Sequence, residues 1–392
     1  MNNNPVTQPA WKQNILLSFF SVFFLFAILE IALRAYDAYR GMGFFSNHRN
    51  LLTHDREPLK PFRMFGFDLY RQKDGERFIS SRHGKLFPVR KPVDTYRIVV
   101  FGGSTTENGY AQETAGIHYP LIMENELRQA LNTDRIEVIN LGNSAYATTH
   151  SLILFELDVL SWNPDMIIVS HNINDLLVSY WPDFTFDYSN KYSDDFYMGR
   201  DSDTYSTMNA LMQHSAFYWF VYDRIKRLQG NIPLQRESYG MDLPEDSKAV
   251  FKRNLDTIWQ LAKANDIKLV LGTQALESSE EYFRLHMDFK PYNKLIKYPL
   301  QEEFVNHHRI FNNIIKQVAA ENKQITLVDN NPLLDDQKEY FVDLVHYTPL
   351  GVETLGRNYA ATLLREGAVN LVRKNSGYQL SELGKQESTG DN

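Results

Sequence analysis

The chain has 392 residues, of which 43% are hydrophobic, enough for the core of one large domain with additions. Its net charge of −7 provides no basic face, and basic and aromatic residues do not interleave, so nucleic-acid binding is disfavoured. With no cysteine at all, the chain excludes disulfides, thiolate catalysis and cysteine-ligated metals.

An apolar segment near the amino terminus predicts one transmembrane helix, and we assign residues 1–34 to a short tail and this helix. Ile15 to Leu29 contains no charged residue, and the apolar pattern continues after Glu30, which gives about 28 Å of helix at 1.5 Å per residue. Trp11 before the segment and Tyr36 after it suit the two membrane interfaces. A cleaved signal peptide is the alternative, but no convincing small-x-small cleavage site follows the apolar core.

Residues 35–95 are polar and lack sustained periodicity, so we expect a stalk and a lead-in to the first strand. Beyond them, β-branched and apolar runs predict strands at 97–101, 136–141, 166–170, 267–271 and 325–328. In the segments between these strands the apolar residues have helical spacing, which predicts helices, for example at 119–131, 249–264 and 311–320. This alternation predicts an α/β fold, in which a parallel sheet of about five strands has helices on both faces.

Four short segments could assemble one site on this framework. They are Gly102-Gly103-Ser104-Thr105, Asn140-Leu141-Gly142-Asn143, Asn172-Ile173-Asn174-Asp175 and Asp343-Leu344-Val345-His346. The first three follow strands, and parallel α/β sheets bind ligands at the carboxyl ends of their strands. We therefore expect Ser104, Gly142 and Asn174 to line one crevice.

Together the four segments contain every role that acyl transfer needs. The Ser104 hydroxyl is the candidate nucleophile, His346 is the base that takes its proton, and Asp343 orients the imidazole. The Gly142 N–H, the Asn174 amide and the Ser104 N–H are candidate donors to the negative oxygen of a tetrahedral intermediate. This chemistry needs neither a metal ion nor an organic cofactor.

In order and spacing, the four segments resemble the conserved blocks of the SGNH (GDSL-type) hydrolases over residues 95–365. The resemblance implies the same catalytic and oxyanion roles, and a three-layer, flavodoxin-like α/β/α domain that we place at residues 96–366. Two positions depart from the family pattern. Gly103 stands where the founding motif has aspartate, and Asn172 stands where the third block usually begins with glycine. Neither departure removes a catalytic role.

The sequence gives less support to other known motifs and to a catalytic or metal-binding role for other histidines. The stretch from Gly102 to Gly109 lacks the Gly-Lys-Ser/Thr ending of a phosphate loop. Position 106 is threonine, which also excludes the G-x-S-x-G elbow of α/β-hydrolases. His171 is an alternative base, although its place at a strand end favours packing beneath the site. His307 and His308 have no partner ligand at metal spacing, so we expect them at the surface and predict no zinc site.

Residues 179–240 follow the third segment and are predicted to be an insertion over the active-site end of the sheet. Its first part is rich in aromatic residues, namely Tyr180, Trp181, Phe184, Phe186, Tyr188, Tyr192, Phe196 and Tyr197. These rings could hold a sugar or an acyl chain, or they could only pack a lid onto the core. Residues 367–392 form a polar tail that we expect to be disordered from Asn375.

The sequence thus predicts a membrane-anchored serine esterase that removes acetyl or another small acyl group from a cell-envelope polysaccharide or glycolipid. An O-acyltransferase with the same triad, a lipid esterase, and a catalytically idle binding or assembly protein are the alternatives. The expected partners are the acylated glycan or lipid and the membrane. The oligomeric state does not follow from the sequence.

Two arguments about membrane orientation disagree. Lys12 precedes the helix whereas Arg34, Arg40 and Arg49 follow it, so the positive-inside rule places the main domain in the cytoplasm. Proteins similar to this chain, with an amino-terminal anchor and an SGNH domain, usually act on envelope material outside the cytoplasm. We favour a single-pass inner-membrane protein with a periplasmic catalytic domain.

Overall fold

A computed structural model gives the structure of the chain and describes residues 10–39, 59–60, 62–192, 215–218, 220–221, 242–288 and 299–369. The chain divides into two compact units. The first comprises Met1–Glu57 with Gly199–Pro233, and the second comprises Pro58–Met198 with Leu234–Asn392. Part of the predicted stalk, most of the insertion and nearly all of the polar tail lie outside the described residues.

The first unit contains a long amino-terminal helix, α1 (Ala10–Tyr39). Within the described parts of the chain, its segment Leu17–Tyr36 is the one stretch long and apolar enough to cross a membrane. A signal sequence near the amino terminus can meet the same criteria of length and composition. The apolar side chains of α1 are mostly exposed, for example those of Phe19, Phe23 and Phe24.

A five-stranded parallel sheet forms the centre of the second unit. Its strands are β6 (Tyr96–Gly102), β7 (Ile136–Asn140), β8 (Met166–Ser170), β9 (Lys268–Gly272) and β10 (Thr326–Val328). Their order in the sheet is β10-β9-β8-β6-β7. All residues of β6 and β8 are buried, as expected for strands covered on both faces. The predicted fold class and sheet are confirmed.

Helices cover both faces of this sheet and make three layers. They are α2 (Ser104–Glu107), α3 (Gly109–Ala115), α4 (Tyr119–Leu131), α5 (Thr148–Leu157), α6 (Ile173–Val178), α7 (Ser189–Tyr192), α8 (Glu245–Ala264), α9 (Glu280–Asp288), α10 (Gln301–Glu321), α11 (Asn331–Leu334) and α12 (Pro349–Arg365). α4 and α12 contribute to one core, and α5, α8 and α10 contribute to the other. α10 begins ten residues before the expected start, and Glu302 and Glu303 suit its first turn.

Residues 62–92, which lie within the predicted stalk and lead-in of residues 35–95, are part of the second unit. Short antiparallel strands make a two-stranded and a three-stranded sheet: β1 (Leu59–Lys60), β2 (Met64–Phe65), β3 (Tyr70–Lys73), β4 (Glu76–Ser80) and β5 (Leu86–Pro88). Phe65, Leu69, Ile79 and Phe87 belong to the core under the larger sheet. The apolar residues here are widely spaced, because β2, β4 and β5 bury only one or two residues each and β3 buries none.

A buried arginine ties this small sheet to the central one. Arg97 on β6 is fully buried, and its Nε donates to Glu137 Oε2 at 2.8 Å. Its two terminal nitrogens donate to the carbonyl oxygens of Pro88, Val89 and Trp162 at 2.8, 3.1 and 2.9 Å. Every nitrogen of the guanidinium therefore has an acceptor, which a buried charge requires.

Four aromatic residues of the insertion pack into the core. Tyr180, Trp181, Tyr188 and Tyr192 are each at most 5% exposed, whereas Phe186 is 57% exposed. For these four rings the structure supports the packing role. Phe196 and Tyr197 lie outside the described residues, and the boundaries that we assigned to the insertion stay a prediction.

Candidate active site

The turn after β6 holds Ser104 at the first position of α2. Gly103 has extended backbone angles (φ −89°, ψ −151°), so the backbone conformation does not require glycine here. The close packing does require it, because a Cβ at this position would lie 2.3 Å from Asn174 Nδ2. The absent side chain lets the third segment approach the serine turn closely.

Ser104, His346 and Asp343 form one hydrogen-bonded row. His346 Nε2 lies 2.8 Å from Ser104 Oγ, and its Nδ1 lies 2.7 Å from Asp343 Oδ2. The carboxylate can only accept, so we assign the ring proton to Nδ1, and the serine hydroxyl then donates to Nε2. All three groups are partly exposed and so are reachable by a substrate.

The loop after β10 fixes the acid and the base relative to each other. Asp343 Oδ1 accepts the backbone N–H groups of Val345 and His346 at 3.0 and 2.9 Å. The Val342 N–H donates to the His346 carbonyl at 2.8 Å, and the rings of Phe341 and Tyr347 meet beside it. The three-residue spacing therefore produces a closed turn in which the second carboxylate oxygen is aimed at the imidazole.

The two predicted oxyanion residues differ in how free their donors are. Asn174 Nδ2 donates to the Tyr146 carbonyl at 2.9 Å, which uses one of its two hydrogens. The Gly142 N–H donates to Asn140 Oδ1 at 2.8 Å. It can serve an oxyanion only if this bond opens. Gly142 also allows close packing, since a Cβ there would lie 2.4 Å from the Glu107 backbone nitrogen.

A further candidate donor is the N–H of Ala145, which the sequence did not suggest. Ala145 has a left-handed backbone (φ 65°), which is costly for a residue with a Cβ and is typical of functional loops. Within the described residues its N–H makes no hydrogen bond, whereas its carbonyl accepts from the Tyr192 hydroxyl at 2.5 Å. The neighbouring Tyr146 carbonyl would lie 3.2 Å from a Cβ at Gly103, so this loop runs beside the serine turn.

Glu107, at the end of α2, fixes the loop that carries Ala145. Its Oε2 accepts both the N–H and the hydroxyl of Ser144 at 2.7 Å, and its Oε1 accepts Arg82 Nε at 2.9 Å. Arg82 Nη1 in turn donates to Asn143 Oδ1 at 2.9 Å. The segment predicted to be a stalk thus contributes an arginine beside the site.

Gln274 links the nucleophile turn to the third segment from below. Its Nε2 donates to Thr105 Oγ1 at 2.6 Å, and its Oε1 accepts the Ile173 N–H at 2.8 Å. It is buried and follows β9, as the other site residues follow their strands. That placement is the signal by which the sequence could have identified it. Asn172, the second departure from the family pattern, donates to the His308 carbonyl and to Asn312 Oδ1 at 3.0 and 2.8 Å.

His171, His307 and His308, which the sequence had singled out, are all buried in the structure. His171 is buried, its Nε2 lies 2.7 Å from Ser151 Oγ, and burial lowers its pKa to about 3. The expectation that His307 and His308 lie at the surface is wrong. Both are buried, because α10 begins early enough to turn them inward with Phe304 and Phe311. Among the described residues, no group of three or more His, Asp or Glu side chains could hold a metal ion.

The chain matches a known class of ester-cleaving enzymes. Residues 100–353 match the model of the GDSL-like lipase/acylhydrolase family, and the chain therefore belongs to this family. It is a carboxylic ester hydrolase. No curated protein matches the chain.

Solved structures of similar fold include three bacterial hydrolases. A catalytic mutant of an acetylxylan esterase from Geobacillus stearothermophilus is 16% identical, with a TM-score of 0.41, and the match covers 72% of this chain and 99% of that one. The lipase/acylhydrolase from Enterococcus faecalis is 15% identical, with a TM-score of 0.41 and coverage of 71% and 100%. A GDSL-like lipase from Bacteroides thetaiotaomicron is 16% identical, with a TM-score of 0.38 and coverage of 71% and 92%.

Proposed function

We propose that this protein is a membrane-anchored serine esterase in which Ser104 is the nucleophile, His346 the general acid and base, and Asp343 the orienting carboxylate. The observation that carries the proposal is the row of contacts from Ser104 Oγ through His346 to Asp343, at 2.8 and 2.7 Å. Both distances are within the reach that proton transfer needs.

The reaction proceeds through an acyl-enzyme. Ser104 Oγ attacks the ester carbonyl carbon while its proton passes to His346 Nε2, and the resulting imidazolium is stabilised by Asp343. The tetrahedral intermediate collapses, the bond to the alcohol oxygen breaks, and His346 gives its proton to that oxygen. Water then attacks the acyl-enzyme, loses a proton to His346, and releases the acid as the proton returns to Ser104.

The negative oxygen of each tetrahedral intermediate is held by the Asn174 amide with backbone N–H groups of Ser104, Gly142 or Ala145. One hydrogen of Asn174 Nδ2 bonds the Tyr146 carbonyl, and in this proposal the other hydrogen bonds the oxyanion. The Ala145 N–H is supported by its left-handed backbone and by having no acceptor in the described structure. Gly142 contributes only when its bond to Asn140 opens.

We place the substrate in the cell envelope, as acetyl or another small acyl ester on a polysaccharide or glycolipid. The length and composition of Leu17–Tyr36 support anchorage of the enzyme in the inner membrane. The catalytic domain faces the periplasm in this proposal. An anchored enzyme of this kind is confined to esters that lie within reach of the bilayer.

The test is hydrolysis of 4-nitrophenyl acetate by the full chain in detergent. Ser104→Ala should lower kcat/KM by at least about 10⁴-fold, because the nucleophile and its proton transfer are lost together. Ser151→Ala is the matched control, since it removes another serine that lies 2.7 Å from a histidine nitrogen but is buried in the core. Equal activity of Ser104→Ala and wild type would refute the assignment.

The acceptor is tested on the same protein. Intact-mass measurement should detect an acetyl group on Ser104 shortly after mixing, and water should discharge it. Discharge that requires a glycan hydroxyl would identify an acyltransferase instead of an esterase. A protein that never acquires the acyl group would be a catalytically idle member of the family.

A further inference from the structure

Glu30 is an acidic residue within the apolar part of α1. It lies six residues before Tyr36, the last residue of the apolar stretch, which is about 9 Å along the helix axis. A carboxylate at such a depth in a bilayer is costly unless other groups of the protein satisfy it. Acidic residues in membrane-spanning helices are therefore usually hydrogen-bonded or ion-paired to other groups of the protein.

Four donors satisfy the Glu30 carboxylate, and three of them come from the insertion. Oε1 accepts Arg34 Nε at 2.7 Å and the Ala216 N–H at 2.9 Å. Oε2 accepts the Ser215 hydroxyl and the Phe217 N–H, both at 2.9 Å. Each oxygen thus has two hydrogen bonds, and a segment about 185 residues later in the chain provides most of them.

This later segment, residues 215–221, is short, aromatic and helical at 216–218 and 220–221. The ring of Phe217 packs against Phe26 in an edge-to-face contact, with centroids 5.1 Å apart. Phe26, Glu30 and Arg34 are spaced by four residues, so they present one face of α1. On the segment itself, Ala216 is buried, whereas Phe220 and Val221 are exposed.

We propose that residues 215–221 are a second membrane-contacting segment, seated on α1 through Glu30, whose exposed apolar side lies against the acyl chains of the bilayer. The proposal rests on the membrane anchorage proposed above. Residues 215–221 then lie in the bilayer beside α1, because the Glu30 carboxylate that binds them lies inside the apolar stretch of that helix. α1 is then a permanent part of the folded protein, and the insertion returns to the membrane surface at this point.

Site-directed nitroxide labelling tests this depth, and it is simplified because the chain has no native cysteine. Single cysteines at Val221, Phe24 and Val93 are labelled in the full chain, in vesicles of phosphatidylethanolamine and phosphatidylglycerol. Phe24 represents the apolar helix, and Val93, which is 78% exposed in the second unit, represents water. Collisions with molecular oxygen and with a water-soluble nickel chelate then report depth.

The Val221 label should resemble the Phe24 label, with frequent oxygen collisions and few nickel collisions. A Val221 label as accessible to nickel as Val93, with Phe24 still protected, would overturn the proposal. If the Phe24 label were also accessible to nickel, the membrane anchorage itself would fail and the proposal with it. Hydrolysis of 4-nitrophenyl acetate by the same labelled proteins separates both results from a failure of the esterase assignment.

The role of Glu30 is tested by Glu30→Leu, with Ile31→Leu as the matched control on the neighbouring exposed position. Glu30→Leu removes the two oxygens that accept from Ser215, Ala216 and Phe217, so the Val221 label should gain nickel accessibility to the level of Val93. Ile31→Leu should leave it unchanged. An unchanged Val221 label in Glu30→Leu would refute the seat on this carboxylate. Neither variant should alter hydrolysis of the soluble ester.

Discussion

Replacing Gly103 by alanine is expected to impair catalysis while leaving the fold intact. The new methyl carbon would lie 2.3 Å from Asn174 Nδ2 and 3.2 Å from the Tyr146 carbonyl oxygen. An ordinary contact between carbon and nitrogen is about 3.5 Å, so the Asn174 amide has to retreat by about 1 Å. Backbone strain does not contribute, since the φ and ψ of Gly103 are accessible to alanine.

The size of the effect follows from what Asn174 does in the proposed mechanism. Displacing a catalytic group by 1 Å can cost about 100-fold, and losing one oxyanion donor costs about 100-fold to 1000-fold, which is about 3 to 4 kcal/mol in the barrier. We therefore expect Gly103→Ala to lower kcat by about two to three orders of magnitude. KM should change little, because the oxyanion forms only in the transition state.

The assay is steady-state hydrolysis of 4-nitrophenyl acetate, with thermal unfolding recorded for each variant. Gly109→Ala is the matched control, because a Cβ there meets no atom within 4 Å. The double variant with Asn174→Ala tests the route of the effect. If Gly103→Ala acts by displacing that amide, it should cost little extra in the absence of the amide. A kcat for Gly103→Ala within threefold of wild type, or full additivity in the double variant, would refute the steric argument.

Two further predictions concern the acid of the triad and the stability of the domain. Asp343→Asn should lower kcat by about 10⁴-fold without unfolding, because an amide nitrogen facing His346 Nδ1 favours the wrong tautomer; a loss below tenfold would contradict this. Burial lowers the pKa of four histidines to about 3 and raises the pKa of Asp175 to about 6; the histidines are His118, His150, His171 and His308. The histidine contribution to stability is lost as pH falls below about 6.5, whereas the Asp175 contribution is lost as pH rises through about 6. Between about pH 6 and pH 4 these five groups therefore bind about three more protons in the unfolded chain than in the folded one, and their contribution to the free energy of unfolding should fall by about 4 kcal/mol per pH unit. Denaturant titrations in detergent at several pH values measure this slope, and a flat profile would contradict it.

The central sheet could be predicted from the sequence because its strands are buried on both faces. Such strands appear as continuous apolar runs in the sequence. Each of the five predicted runs coincides with a strand of the sheet, and the predicted and observed ends differ by no more than one residue. The contact between Ser104 and His346 could be predicted for a related reason. Their segments have a fixed order relative to these strands, and the chemistry leaves few alternatives for a serine, a histidine and an aspartate at one edge.

The small sheets of residues 59–88 could not be predicted, since β2 to β5 bury at most two residues each and so show no continuous apolar run. The same holds for His307 and His308, whose burial depends on where α10 begins. Ala145 carries no signal in the sequence at all. Its left-handed backbone lies in a turn that the Tyr146 N–H closes on the Asn143 carbonyl at 3.0 Å. The bonds from this turn to Glu107 and Tyr192, which are distant in the chain, become visible only in the folded structure.

The buried guanidinium of Arg97 decides where this enzyme can be cut. A shortened chain that starts at residue 95 would lose the Pro88 and Val89 carbonyls and leave Arg97 Nη2 without its acceptor, a defect of about 1 to 3 kcal/mol. A protease that nicks the chain between Val89 and Arg97 should, by the same bonds, leave two fragments that stay associated. The smallest stable catalytic piece therefore has to retain the residues from about position 58 onward, well ahead of the first strand of the parallel sheet.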